Sequence, residues 1–195
     1  MNTRKATFPI NDMILNRWSP RAMSPDELMP EEELMTLFEA ARWAPSSYNG
    51  QPWRFIYAQR GTKDWDHFFD LLVPFNQSWA KNATYLFLVI SRDTFAWNNE
   101  FSRTHSFDTG AACENLAIQG HIDDIVVHAM EGFDYDRAKK VGNVPDEYTI
   151  EAMFAVGKPG NKENLPEELQ ERETLSDRKP LNELVFAGTF KKKEV

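Results

Sequence analysis

The block Tyr85-Leu86-Phe87-Leu88-Val89-Ile90 is apolar at every step. Successive side chains of a strand point to opposite faces, so a strand of this kind must be covered on both sides. The block is far too short to cross a bilayer as a helix. It therefore predicts a central strand, here Tyr85–Ser91, inside a sheet with a helical layer on each face. Three further segments read as strands: Arg54–Ala58, Ile125–Met130 and Ala152–Val156. Helices are expected around Ile10–Asn16, Lys63–Leu72, Glu100–His121 and Tyr135–Val141. A main helix should open at Pro30, with Glu31, Glu32 and Glu33 on its positive end and Leu34, Leu37, Phe38 and Ala41 as its buried stripe. Pro45 should end it. Ser24-Pro25-Asp26-Glu27 has the chemistry of a helix start or a turn.

With 195 residues the chain is long enough for one domain with a sizeable core and too short for two ordinary ones. Its net charge of -8 argues against a nucleic-acid partner, whose phosphates are held by basic patches. The basic cluster Lys191-Lys192-Lys193 reads as a solvated tail. Cys113 is the single cysteine, so neither a disulfide within the chain nor a cysteine metal cluster can form. No secretory leader and no membrane span are expected, which points to a reducing, cytoplasmic setting. Residues 161–179 are polar and should cross the surface. Leu181, Leu184, Val185 and Phe186 then need a place to be buried, and a partner subunit would supply one.

Several chemistries lack their motifs. There is no Walker or dinucleotide-type glycine loop, no His-Glu-x-x-His and no Gly-x-Ser-x-Gly elbow. His67, His105, His121 and His128 are scattered, so no metal site is expected, and His128 reads as a hydrogen-bonded core residue. Cys113 lies among small residues and reads as packing. Other stretches are more suggestive. Arg17-Trp18-Ser19-Pro20-Arg21 sets two guanidinium groups and a hydroxyl within five residues, a pattern suited to phosphate or to a plain solvated loop. Ala44-Pro45-Ser46-Ser47-Tyr48-Asn49-Gly50-Gln51-Pro52-Trp53 brackets hydroxyls and amides between prolines. Paired donors and acceptors on a stiff loop suit a flat heterocycle, although the same residues also make an ordinary helix–strand connector. Glu131-Gly132 follows a buried strand, where a backbone N–H could face a ligand. Arg178 is either a second phosphate contact or an exposed charge.

Taken together, these elements resemble the FMN-dependent nitroreductase family over about residues 10–186. The resemblance rests on the Arg-x-Ser-x-Arg motif, the Ala-Pro-Ser-Ser-x-Asn-x-Gln-Pro-Trp loop, Asp108-Thr109-Gly110-Ala111-Ala112 with Asn115-Leu116, the Glu-Gly-Phe-Asp turn and the late Arg-Lys-Pro-Leu. It implies a single α+β domain over residues 1–195, a three-layer α/β/α sandwich around a mixed, mostly antiparallel sheet. It also implies a homodimer in which residues 161–195 wrap the partner, with the Gly110–Ala117 helix at the interface. Arg17, Trp18, Ser19, Arg21 and Arg178 would hold the FMN phosphate, ribityl chain and ring edge. Asn76, Glu131 and Gly132 would lie along the ring, the last two beside N5. Pro45, Ser46, Ser47, Asn49 and Gln51 would contact the FMN of the other subunit.

The activity implied is NAD(P)H-dependent reduction of a small electrophile, such as a nitroaromatic, quinone or conjugated carbonyl, by ping-pong hydride transfer through flavin N5. No protein nucleophile is then required. Phe95, Trp97 and Phe101 are candidates for the substrate mouth, with ordinary packing as their alternative. A non-catalytic FMN store or sensor and a flavin-free dimeric scaffold are the competing classes. The chain departs from the family pattern at His121-Ile122-Asp123-Asp124, where its carboxylates imply a solvated turn, and at Ser176, where some relatives carry lysine. The short stretch from Ser91 to Phe101 leaves little room for a lid.

Overall fold

A computed structural model describes residues 4–190. Lys191-Lys192-Lys193 lies outside them. The elements are α1 (Asp12–Asn16), α2 (Glu31–Arg42), β1 (Trp53–Gln59), α3 (Lys63–Phe69), α4 (Pro74–Ala80), β2 (Tyr85–Arg92), α5 (His105–Ile122), β3 (Val126–Met130), α6 (Tyr135–Val141), β4 (Tyr148–Gly157) and α7 (Glu167–Gln170).

The strands form one sheet in the order β1-β2-β4-β3. All three pairings are antiparallel, so among the described residues the expected mixed sheet is corrected to a purely antiparallel one. β2 is central, as its composition requires, and its residues 85–91 are buried. Leu86, Leu88 and Ile90 face a layer that includes Trp65, Phe68, Trp79 and Ala138 of α3, α4 and α6. Tyr85, Phe87 and Val89 face Leu34, Leu37 and Ala41 of α2 and Ala112 and Leu116 of α5. The three-layer sandwich follows directly from this alternation.

Several boundaries differ from expectation. α4 is an element beyond the expected helices, and Pro74 opens it at the first helical position, where its missing N–H costs nothing. The predicted Glu100–His121 helix starts only at His105. Before it, Thr94 bridges Phe101 and Ser102 N donates to Asp93 O at 2.8 Å, closing a tight hairpin. Ser24 makes a turn, not a helix, with its hydroxyl accepting from Glu27 N at 3.0 Å. α2 ends at Arg42, before Pro45. β4 is longer than read from sequence and carries a bulge opposite Val89/Ile90. Among the described residues, no helix is long and apolar enough to cross a membrane.

Candidate functional site

Residues 17–24 are held in place by parts of the chain far away in sequence. Met23 bridges Pro159, Ser24 N donates to Lys158 O at 2.9 Å, and Gly160 N donates to Ala22 O at 3.0 Å. A Cβ at Gly160 would lie 2.4 Å from the Met23 carbonyl carbon, so only glycine permits this approach. From the other side, the Glu173 carboxylate accepts the backbone N–H groups of Arg21 at 2.6 Å and Ala22 at 2.8 Å.

The result is a cavity of about 410 Å³ that brings together the predicted Arg17, Trp18, Ser19, Arg21 and Arg178. Arg4, Arg172, Thr174, Ser176 and His128 also line it. Carboxylates neutralise these cations incompletely. Arg17 Nε lies 3.0 Å from Glu114 Oε1 but without hydrogen-bond geometry, and Arg21 Nη1 is 3.8 Å from Glu173 Oε2. The Nε atoms of both arginines are buried and bonded to no acceptor among the described residues. Burial, together with neighbouring Arg178 and Arg17, holds the Arg4 guanidinium below its ordinary range despite Asp177. Arg4 donates to Leu15 O and Arg17 O, both at 2.9 Å, and to Ser176 O at 2.8 Å. Arg178 donates to Ser176 Oγ at 3.1 Å, so Ser176 acts as an acceptor between two cations.

His128 borders the same cavity from β3. Its Nδ1 is 2.9 Å from Pro20 O. A carbonyl can only accept, so Nδ1 carries the proton. Burial pushes the imidazole down to about 4, with Arg21 adding to the effect and the Pro20 and Ser19 carbonyls opposing it. The ring packs on Trp79 with centroids 4.5 Å apart.

At the end of β3 the predicted Gly132 and Asn76 meet. The Gly132 carbonyl accepts Val73 N at 3.1 Å and Asn76 Nδ2 at 3.0 Å. A Cβ at Gly132 would stand 2.7 Å from Asn76 Nδ2 and 3.0 Å from Val73 Cγ2, so glycine is needed here for space. The Gly132 N–H donates to no acceptor among the described residues. Glu131 is exposed beside it.

The Ala44–Trp53 loop is stiff for reasons beyond its prolines. Ser46 Oγ accepts Gln51 N at 3.1 Å, and buried Asp108 accepts Ser47 N at 2.9 Å. Tyr48, Asn49 and Gln51 adopt left-handed backbone, with φ of 51°, 53° and 45°. Tyr48 is thereby 83% exposed and packs edge-on to Phe95 and Trp97, which stack on each other at 4.4 Å. Two of the three candidates for a substrate mouth, Phe95 and Trp97, thus pack on the loop, whereas Phe101 turns toward His105 at 5.8 Å.

Within one chain the loop and the cationic cavity do not meet. The loop feeds β1 and the cavity borders β3, the two edges of the sheet. Three strand spacings separate them, about 14 Å.

A protein nucleophile is not apparent among the described residues. Burial pushes the Cys113 thiol up to about 12, which leaves it inert at neutral pH. Ser91, His105 and Glu151 suggest a hydrolytic triad, but Ser91 is fully buried. Its hydroxyl donates to Glu151 and so accepts from His105 Nδ1 at 2.7 Å. The β4 bulge turns Glu151 into this knot, which ties β2, β4 and α5 together.

Sequence reading missed Arg4, Arg172 and the cavity-facing role of His128. Arg4 joins the cavity only through chain closure over more than 170 residues, and nothing local marks it. Arg172 is hidden in an acidic run. A polar ring in an apolar strand was the available sign for His128.

Comparison with known proteins gives a consistent picture. A crystal structure described as that of an oxidoreductase containing FMN is 44% identical and superposes with a TM-score of 0.93, covering 99% of this chain and 98% of that one. Protein DrgA of Synechocystis sp. is 27% identical over 181 residues, 75% of this chain and 82% of its own length. The major NAD(P)H-flavin oxidoreductase of Aliivibrio fischeri matches more locally, at 40% identity over 50 residues, 26% of this chain and 23% of its own length. The nitroreductase family model matches residues 14–158. That span takes in the arginine motif, the proline-bracketed loop and the glycine turn, and the chain belongs to the nitroreductase family.

Proposed function

We propose that this protein is an FMN-dependent oxidoreductase that uses NAD(P)H to reduce a small electrophile such as a nitroaromatic, a quinone or a conjugated carbonyl. The observation that carries this reading is the cationic cavity, where Arg4, Arg17, Arg21, Arg172 and Arg178 converge with only Glu114 and Glu173 as carboxylate partners of Arg17 and Arg21 among the described residues. Guanidinium groups gathered at a cavity repel one another, and a phosphate would offset their charge through charge-assisted hydrogen bonds. The residues fit FMN at both ends. Arg17, Arg21 and Arg178 would hold the phosphate, with Arg4 fixing the backbone and Ser176 around them. Trp18 and Ser19 would border the ribityl chain, and Asn76, Glu131 and Gly132 the ring. Bound FMN would relay hydride between nicotinamide and electrophile in alternating half-reactions.

The chain's own residues would bind and orient. The Gly132 N–H is available as a donor at the ring edge, and Asn76 fixes the turn that presents it. Pro45, Ser46, Ser47, Asn49 and Gln51 would complete the site of a second copy, because the loop lies across the sheet from its own chain's cavity. Two exposed surfaces support such a homodimer. Phe107 of α5 is 80% exposed and Gly110, one turn on, faces open space. Leu181, Leu184 and Val185 remain exposed on a tail that would wrap the partner. Phe95 and Trp97 would then border the substrate mouth.

An absorbance scan of the purified protein, with flavin bands expected near about 370 and 450 nm, is the first test. Steady-state NAD(P)H oxidation with a nitroaromatic or quinone is the second. A colourless protein that fails to take up FMN would end this reading, and flavin bands without turnover would replace it with a store or sensor.

A further inference from the structure

The cationic cavity is lined mainly by guanidinium donors and by hydroxyls that can both donate and accept, and His128 adds a ring nitrogen of a different kind. His128 gives its Nδ1 proton to Pro20 O. Its other ring nitrogen, Nε2, is therefore a bare acceptor in the neutral ring. The imidazole stays neutral because burial and adjacent Arg21 oppose a second proton. A phosphate held by the arginines turns its ionised oxygens toward them, and those oxygens only accept, so they give such a nitrogen nothing. A hydroxyl group does.

His128 also stands where a hydroxyl would be expected. It lies on β3 three and four residues before Glu131 and Gly132. That places the arginine cavity and the glycine turn about 10–13 Å apart along the strand. A ligand spanning both ends must carry its linker past His128, and Trp79 holds the ring in position.

We propose that His128 Nε2 accepts a hydrogen bond from a hydroxyl of a phosphorylated polyol, making the cavity selective for a polyol phosphate over inorganic phosphate. This rests on the FMN reading above, in which the ribityl phosphate is that polyol, and it assigns a residue that the arginine motif does not include. His128 is a binding residue here and takes no part in hydride transfer.

The test compares His128→Gln with His128→Leu in the full-length, FMN-loaded protein. Both lose the Pro20 contact, but only Gln restores an acceptor near the Nε2 position. Free flavin fluorescence on serial dilution reports FMN release, and ribitol 5-phosphate and inorganic phosphate serve as competing probes. Thermal melts establish that each variant is folded. His128→Leu should weaken FMN retention about 5- to 20-fold and His128→Gln less than about 3-fold. Ribitol 5-phosphate should lose its advantage over inorganic phosphate in the Leu variant alone, while competition by inorganic phosphate stays unchanged. In the wild type, the ¹⁵N resonance of Nε2 should move upfield when FMN binds, a change that a purely structural histidine would not show. Equal FMN retention in both variants with an unmoved Nε2 resonance would overturn the role of His128 and leave the FMN reading standing. Failure of the wild type to bind FMN would overturn both.

Discussion

The two polar regions of this molecule are completed in different ways. The cationic cavity beside β3 assembles within one chain, from residues 4, 17–21, 128 and 172–178. The proline-bracketed loop beside β1 is ordered by its own hydrogen bonds and by Asp108, yet it presents Tyr48 to solvent and does not line the cationic cavity. One region holds unsatisfied donors, and the other holds a strained backbone with nothing to grip. Strain is retained where surrounding structure over-determines it, commonly at sites of function. The contrast teaches that a stretch can carry the strongest motif in a sequence and still, within its own chain, stand apart from the cavity that the other motifs build.

The largest effect should come from mixing two defective chains. A chain with Arg17→Ala and a chain with Asn49→Ala plus Ser46→Ala should each be nearly inactive as a homodimer. Co-expressed, they should regain one working site per mixed dimer, because the intact cavity of one chain meets the intact loop of the other. NAD(P)H oxidation by the purified mixture reads this directly, and no recovery would mean that cavity and loop serve the same chain. Next in size, Arg17→Ala alone should weaken FMN retention by roughly 1.5–3 kcal/mol, about 10- to 150-fold, through loss of a charge-assisted bond. Unchanged retention would remove Arg17 from the site.

The cavity side should also respond to acid. His128 is held down to about 4 when folded, against its ordinary value of 6.5. Between those values the unfolded chain takes up a proton that the folded chain refuses, so this contribution to stability is full above 6.5 and is lost as pH falls toward 4. The loss is on the order of 3 kcal/mol at most. Urea melts from pH 7 to 4 should show it, and His128→Gln should flatten the slope in that window. The smallest effect belongs to the loop side. Trp97→Ala should raise KM for an aromatic electrophile by about 2- to 5-fold, the worth of one ring contact, and leave FMN retention unchanged. A parallel loss of flavin would place Trp97 with the cofactor and not with the mouth.

Much of this was legible in the sequence where the physics is local. The double-sided apolar run of β2 demanded two helical layers, and the acidic first turn and apolar stripe of α2 fixed that helix. Gly132 and Asn76 were both candidates, Asn76 through the family resemblance, but their mutual contact was not legible, since it depends on α4 packing beneath the turn. α4 itself escaped because Pro74 marks either a break or a first turn, and only the packing of Trp79 and Ala80 decides which. Arg4 and Glu173 were invisible for a different reason. Each acts across more than 150 residues, and no periodicity connects such positions.

The Glu173 carboxylate joins two stretches 152 residues apart by accepting the Arg21 N–H, and accepts the Ala22 N–H as well. It ties residues 21 and 22 to residue 173, next to Arg172 and Thr174, which line the cavity with Arg21. A ligand that fills the cavity binds only the folded arrangement that joins these stretches, and so stabilises it by mass action. Residues 172–178, which line the cavity, should therefore resist limited proteolysis better when the cavity is filled.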